Sequence, residues 1–122
     1  MNQSDEPRVP TAGAPGCAPD DHAARPVTPV PSRAFVGAVK LFRALGDEQR
    51  LRTLELLSRG EICVSEIAAT FDEPLSTVSH RLRLLENAGL VSRRRQGRHV
   101  HYDLADDHVR HLVQDALDHA LE

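Results

Sequence analysis

Near its C-terminus the sequence reads Asp106-x-His108 and then His119-x-x-Glu122. Imidazole nitrogens and carboxylate oxygens are donors that Zn(II) accepts. On a helix, at about 100° per residue, His108 and His119 fall on one face within roughly 20°, yet stand roughly 16 Å apart along the axis. Two ligands of one ion span about 4 Å, so a single helix cannot close such a site. Two copies packed antiparallel can. The Asp106/His108 end of one then meets the His119/Glu122 end of the other, giving two symmetric sites per dimer. Four protein ligands leave no open position for a substrate water, which suits sensing rather than catalysis. His111 lies off this face.

The two cysteines, Cys17 and Cys63, are too few for a disulfide framework. In a reducing compartment they are free thiols or metal ligands, and Cys63 taken alone reads as a small buried hydrophobe. The sequence has no run of about 18 apolar residues and no basic-then-apolar start, so the expected location is cytoplasmic, with no membrane partner.

Charge is segregated along the chain although the net value is only −3. Between Ser76 and His101, Arg81, Arg83, Arg93, Arg94, Arg95 and Arg98 stand against Glu86 alone; from Asp103 to Glu122, six acidic residues stand against Arg110 alone. One surface therefore suits polyanions and another suits cations.

The elements that must position these groups can be traced in order. Residues 1–31 hold seven of the eight prolines and lack apolar periodicity, the composition of a disordered tail. From 32 to 122 the chain has room for one domain, with a core of Leu, Val, Ile and Ala because aromatics are only 3% of residues. Helical spacing starts at Ser32, read as an N-cap, with Phe35, Val39, Phe42 and Leu45 on one face. Gly46 stops that helix, and Asp47 caps a second whose stripe is Leu51, Leu54 and Leu57. A short third helix carries Val64, Ile67, Ala68 and Phe71, and the Asp72-Glu73-Pro74 turn leads to a fourth beginning at Ser76. There Val78, Leu82 and Leu85 face inward, which leaves Thr77, Ser79, His80, Arg81 and Arg83 outward. Two short helices about a tight turn, the second polar and basic outside, meet the needs of a helix-turn-helix reader. Residues 90–95 and 99–104 then alternate as two strands around Gln96-Gly97-Arg98, a β-hairpin or wing. A last helix runs from about Asp106 with Val109, Leu112, Val113, Ala116 and Leu117 as its apolar side.

Over Phe35 to Glu122 these residues resemble the ArsR/SmtB family of metal-sensing winged-helix repressors, its zinc-sensing subgroup in particular. The resemblance is carried by Leu45-Gly46-Asp47-Glu48-Gln49-Arg50-Leu51-Arg52, by Glu61-Ile62-Cys63-Val64-Ser65-Glu66-Ile67, and by Ser76-Thr77-Val78-Ser79-His80-Arg81-Leu82. Leu85, Ala88-Gly89-Leu90-Val91 and the Arg94–Tyr102 segment complete it. One departure is Leu75, where many members carry Gln. The resemblance implies a mainly α winged helix-turn-helix with a small β-hairpin, homodimeric through its first and last helices and bound to palindromic operator DNA. Ser76, Thr77, Ser79, His80 and Arg81 would then face the bases or phosphates, and Arg94, Arg95 and Arg98 of the wing the backbone or minor groove. It also implies that Asp106, His108, His119 and Glu122 ligate the effector metal. Members with a second, N-terminal site point to Cys17, His22 and Cys63 here, with Glu66 one turn after Cys63 and Asp21 as an equal alternative from the tail, although Ser65 replaces the second Cys of a Cys-Val-Cys pattern.

The function expected from the sequence is a metal-derepressed transcriptional repressor that releases operator DNA on binding Zn(II), with Co(II), Cd(II) or Ni(II) as other ions the donors accept. The alternative keeps the fold and makes the protein a soft-metal, metalloid or redox sensor through Cys17 and Cys63. An enzyme is not expected: there is no HExxH helix, no phosphate-binding Gly loop and no nucleophile with a partnered base.

Overall fold

Glycines and caps divide the chain where the sequence places them. The structure, a computed structural model, describes residues 27–122. Cys17, His22 and most of the proline-rich tail expected over 1–31 lie outside the described residues. Helix α1 (Ser32–Leu45) starts one residue earlier than expected, with Pro31 rather than Ser32 at the N-cap: the Pro31 carbonyl accepts from Ala34 N and no side chain caps the helix. After Gly46, Asp47 accepts from Arg50 N at 3.0 Å and opens α2 (Glu48–Leu57).

A two-residue strand, β1 (Ile62–Cys63), precedes α3 (Val64–Phe71), and Glu66 caps α3 by accepting from Cys63 N at 3.3 Å. Asp72 turns the chain in the left-handed region (φ 54), and Pro74 then caps α4 (Leu75–Asn87), which also starts one residue ahead of the expected Ser76. Gly89, at φ 78, closes α4 in a Schellman motif, with Leu90 N bonded to Leu85 O and Gly89 N to Glu86 O.

Strands β2 (Val91–Gln96) and β3 (His99–Leu104) form the expected hairpin, Gln96 opposite His99, with Gly97 (φ 62) supplying the positive φ of its two-residue turn. The sheet is antiparallel in the order β1-β3-β2, Ile62 pairing with Tyr102 and Cys63 with His101. The sequence anticipates a hairpin only, so the third strand is an addition. Helix α5 (Asp107–Ala120) completes the fold, capped by Asp106, which accepts from Val109 N at 3.1 Å.

Leu54, Leu57, Ile67, Val78, Leu82, Leu85 and Leu90 form the fully buried centre, which Tyr102, Leu104, Val109 and Val113 cover from the sheet and α5. The protein is thus a mainly α winged helix-turn-helix with a small sheet. Helix α1 buries no residue completely. Leu41, Ala44 and Leu45 rest on the core, while Phe35 and Phe42 are each 61% exposed and Val39 is exposed with them. The Phe35/Val39/Phe42 stripe therefore points away from the chain's own core. Among the described residues, no helix is long and apolar enough to cross a membrane.

Candidate nucleic-acid interface and metal-ligand face

Helix α4 is fixed by Val78, Leu82 and Leu85 in the core, and this sets which side chains its start can present. Leu75, Ser76, Thr77 and His80 are exposed and Ser79 is half-buried. Arg81 is not presented at all. It is 7% exposed, and its guanidinium donates to Glu73 from Nη2 to Oε2 at 2.6 Å and from Nη1 to Oε1 at 2.8 Å. Nη1 also reaches Thr53 Oγ1 at 3.3 Å, and the group lies 6.0 Å from the Phe71 ring centroid. The expectation that Arg81 faces outward is thereby corrected. A cation this enclosed is held by its carboxylate, since separating the two would leave both charges desolvated. The guanidinium in turn holds the Glu73 carboxyl below the usual carboxylate range.

Beside α4 the wing carries an exposed basic row. Arg94 donates to Glu61 from Nη2 at 2.6 Å and Nε at 3.1 Å, a pairing that lowers the Glu61 pKa and raises that of Arg94. Arg95 and Arg98 are exposed at the turn, and Arg93 lies 3.8 Å from Glu86.

On α5 the four candidate ligands form two pairs. His108 Nδ1 is 3.7 Å from Asp106 Oδ1, and His119 Nδ1 is 3.6 Å from Glu122 Oε1. The His108 side chain is 98% exposed and the other three are largely so. Asp106 spends Oδ1 on capping the helix, which fixes the carboxyl while leaving Oδ2 for another partner. The pairs sit at opposite ends of the helix, and among the described residues no group of three or more His, Cys, Asp or Glu is close enough to hold a metal. The donor chemistry fits Zn(II), two nitrogens and two oxygens, but one chain brings together only half a coordination sphere at each end.

Cys63 is buried at the junction of β1 and α3. Its Sγ lies 3.4 Å from Ser65 Oγ and 3.8 Å from His99 Nδ1 on the wing strand. Hydrogen bonds from the Ser65 side chain and backbone, with a smaller contribution from His99, bring the thiol pKa down to about 7 against the opposing effect of burial. Glu66, expected beside Cys63 as a ligand, is engaged as the α3 cap. Sequence reasoning missed His99 here, although His99 and His101 alternate along one strand and so share its face. It also missed Glu73 and Thr53, the partners of Arg81.

Residues 47–93 match the family described as "Bacterial regulatory protein, arsR family". The chain is 46% identical over 83 residues to the "Transcriptional repressor SmtB homolog" of Synechocystis sp., an alignment spanning 68% of this chain and 63% of that protein. It is 42% identical over 84 residues to the "Cadmium resistance transcriptional regulatory protein CadC homolog" of Staphylococcus aureus, spanning 68% of this chain and 69% of the relative. Among solved structures, the homodimeric winged helix-turn-helix DNA-binding domain from Mycobacterium bovis is similar with a TM-score of 0.69 and 31% identity, over 81% of this chain and 94% of that one. The two sequence relatives are transcriptional regulators, not enzymes. With its helix-turn-helix core inside the matched segment and the wing and α5 completing the same fold, the chain belongs to the arsR family of bacterial regulatory proteins.

Proposed function

We propose that the protein is a cytoplasmic, metal-responsive transcriptional repressor that binds operator DNA as a homodimer and releases it when Zn(II) occupies sites shared between two α5 helices. One observation carries the reading: the Asp106/His108 and His119/Glu122 pairs stand exposed at opposite ends of one helix, each with half the donors a tetrahedral ion takes. Antiparallel pairing of two α5 helices supplies the missing half at both ends. When bound, Zn(II) would accept these four donors and tie the two helices together.

Ser76, Thr77, Ser79 and His80 approach the bases, while Arg95 and Arg98 approach the backbone; Arg94 does so through whatever its Glu61 partner leaves available, and Arg81 acts as a strut beneath the helix. Metal occupancy biases the dimer geometry, because cations on an acidic helix would otherwise favour DNA rather than oppose it. Linkage then requires operator DNA to weaken metal binding by the same factor by which metal weakens DNA binding.

The experiment is fluorescence anisotropy of labelled duplex from upstream of the protein's own gene, with Zn(II) titrated into the complex. Release in the wild type and retention in a His108→Ala, His119→Ala double variant is the expected result. Equal affinity of the metal-loaded and metal-free protein for the duplex would overturn the reading.

The Cys63–Ser65–His99 cluster favours a second reading, thiol-based sensing by Cys63 with Cys17. Firm DNA binding that Zn(II) leaves untouched but thiol alkylation abolishes would favour it.

A further inference from the structure

The first two turns of α4 lack the side chains that usually read bases. Bidentate recognition of guanine uses Arg or Lys, and that of adenine uses Asn or Gln. The outward residues here are Leu75, Ser76, Thr77, Ser79 and His80, and the one long donor in the stretch, Arg81, is turned inward onto Glu73 and Thr53.

Leu75 is the first residue of the helix and is 51% exposed. It belongs neither to the buried core nor to the hydrophobics packed against it. Capping does not employ it either, since the Pro74 carbonyl accepts from Thr77 N and Val78 N. The other exposed leucine of α4, Leu84, is nine positions on, which at about 100° per residue is the opposite side of the helix. It lines a depression with Lys40, Arg43 and Arg50 and is no part of the same surface. The other exposed or half-exposed residues of these first two turns are polar: Ser76, Thr77, Ser79 and His80, of which Ser79 stands nearest Leu75 around the helix, about 40° away. A lone exposed apolar group at the start of a helix whose other exposed residues there are polar suits a ligand that is polar outside and carries one apolar feature within. In a DNA major groove that feature is the C5-methyl group of thymine.

We infer that Leu75 is a specificity-determining residue that reads a thymine C5-methyl group in each half-site. The inference rests on the DNA-binding reading above. Base choice at this position then comes from apolar contact rather than from a bidentate hydrogen bond.

The test starts by selecting the preferred duplex from a random-sequence DNA library with the full chain. Each thymine of that duplex is next replaced by deoxyuridine, which removes the methyl group and leaves every hydrogen-bonding atom in place. Replacement of one thymine in a single half-site should weaken wild-type binding about fourfold, the worth of one buried methyl-sized group, and about fifteenfold when the equivalent thymine is changed in both half-sites. Leu75→Ala should bind the thymine and deoxyuridine duplexes equally, and Leu75→Gln should move the preference at that position toward adenine. The exposure of Leu75 predicts unchanged melting for both variants. No deoxyuridine effect at any position would overturn the inference, as would an effect that persists undiminished in Leu75→Ala. If no duplex is enriched at all, the DNA-binding reading itself falls and takes this inference with it.

Discussion

Arg81 and Glu73 meet through two parallel bonds of 2.6 and 2.8 Å on the inner side of α4, with Thr53 of α2 as a third point of attachment. The arrangement joins α2, the Asp72-Glu73-Pro74 turn and α4, adding an enclosed ion pair to the Val78, Leu82 and Leu85 contacts that fix the helix in the core.

Arg81→Ala should therefore act on stability before it acts on DNA. Removing one partner of such a pair costs about 3 kcal/mol, the low end of the usual range because Glu73 retains some solvent contact. Urea denaturation would read the loss. A DNA-contacting arginine would instead leave the midpoint unchanged and weaken only the duplex complex. Because Arg81 depresses the Glu73 pKa, the pair's contribution is complete above the ordinary carboxylate pKa of 4.5 and is lost as pH falls through the lower folded value. Glu73→Gln should flatten that acid limb.

The Cys63 thiol should titrate near pH 7 rather than near its ordinary 9.0. Thiolate absorbance in a Cys17→Ser background would follow it, and Ser65→Ala should move the midpoint upward. The sign for stability follows from the depressed folded pKa: the thiolate's contribution is full above about pH 9 and is lost as pH falls to about 7. Cys63→Ser should abolish that slope, and a slope retained in the variant would assign it to another group.

Two damaged copies should rebuild one metal site. In a dimer of a His108→Ala chain with a His119→Ala chain, one site loses both histidines while the other keeps both. Cobalt(II) spectra of the mixed dimer should display one tetrahedral centre per dimer, against none of full ligation in either homodimer. A site confined to a single chain would give no such recovery.

The exposed side of α1 is expected to be covered by a second copy. Phe35→Glu or Phe42→Glu should leave the helical circular dichroism intact, because neither ring contributes to the core of its own chain. Each ring is worth about 1.5 kcal/mol or more on burial and counts twice in a symmetric interface, so the dimer dissociation constant should rise at least about 100-fold. Sedimentation equilibrium measures this directly.

The wing arginines should differ in salt dependence. With Arg98 on the DNA backbone as proposed, Arg98→Ala should reduce the slope of log affinity against log salt by about 1.8 per dimer, one phosphate contact per subunit. Arg94→Ala should change it less, since Glu61 already neutralises that guanidinium at 2.6 Å.

By itself the sequence determined whatever depends on neighbours along the chain. Asp47 caps α2, Gly89 ends α4 at positive φ, Gly97 turns the wing, and the spacing of Asp106, His108, His119 and Glu122 disposes the four donors at the two ends of one helix. Each is a local matter of dihedral angle or helical period, legible before any packing is known. Only the tertiary structure decided the rest. Arg81 lies at the margin of the Val78/Leu82/Leu85 stripe, where periodicity allows either side, and Glu73 and Thr53 across the fold draw it inward. The two-residue β1 exists because β3 offers an edge to it, and Cys63 meets His99 across 36 residues of chain. The Phe35/Val39/Phe42 stripe has the same spacing whether it faces a core or a second molecule; it faces outward because Leu41, Ala44 and Leu45 occupy the side of α1 that rests on the body.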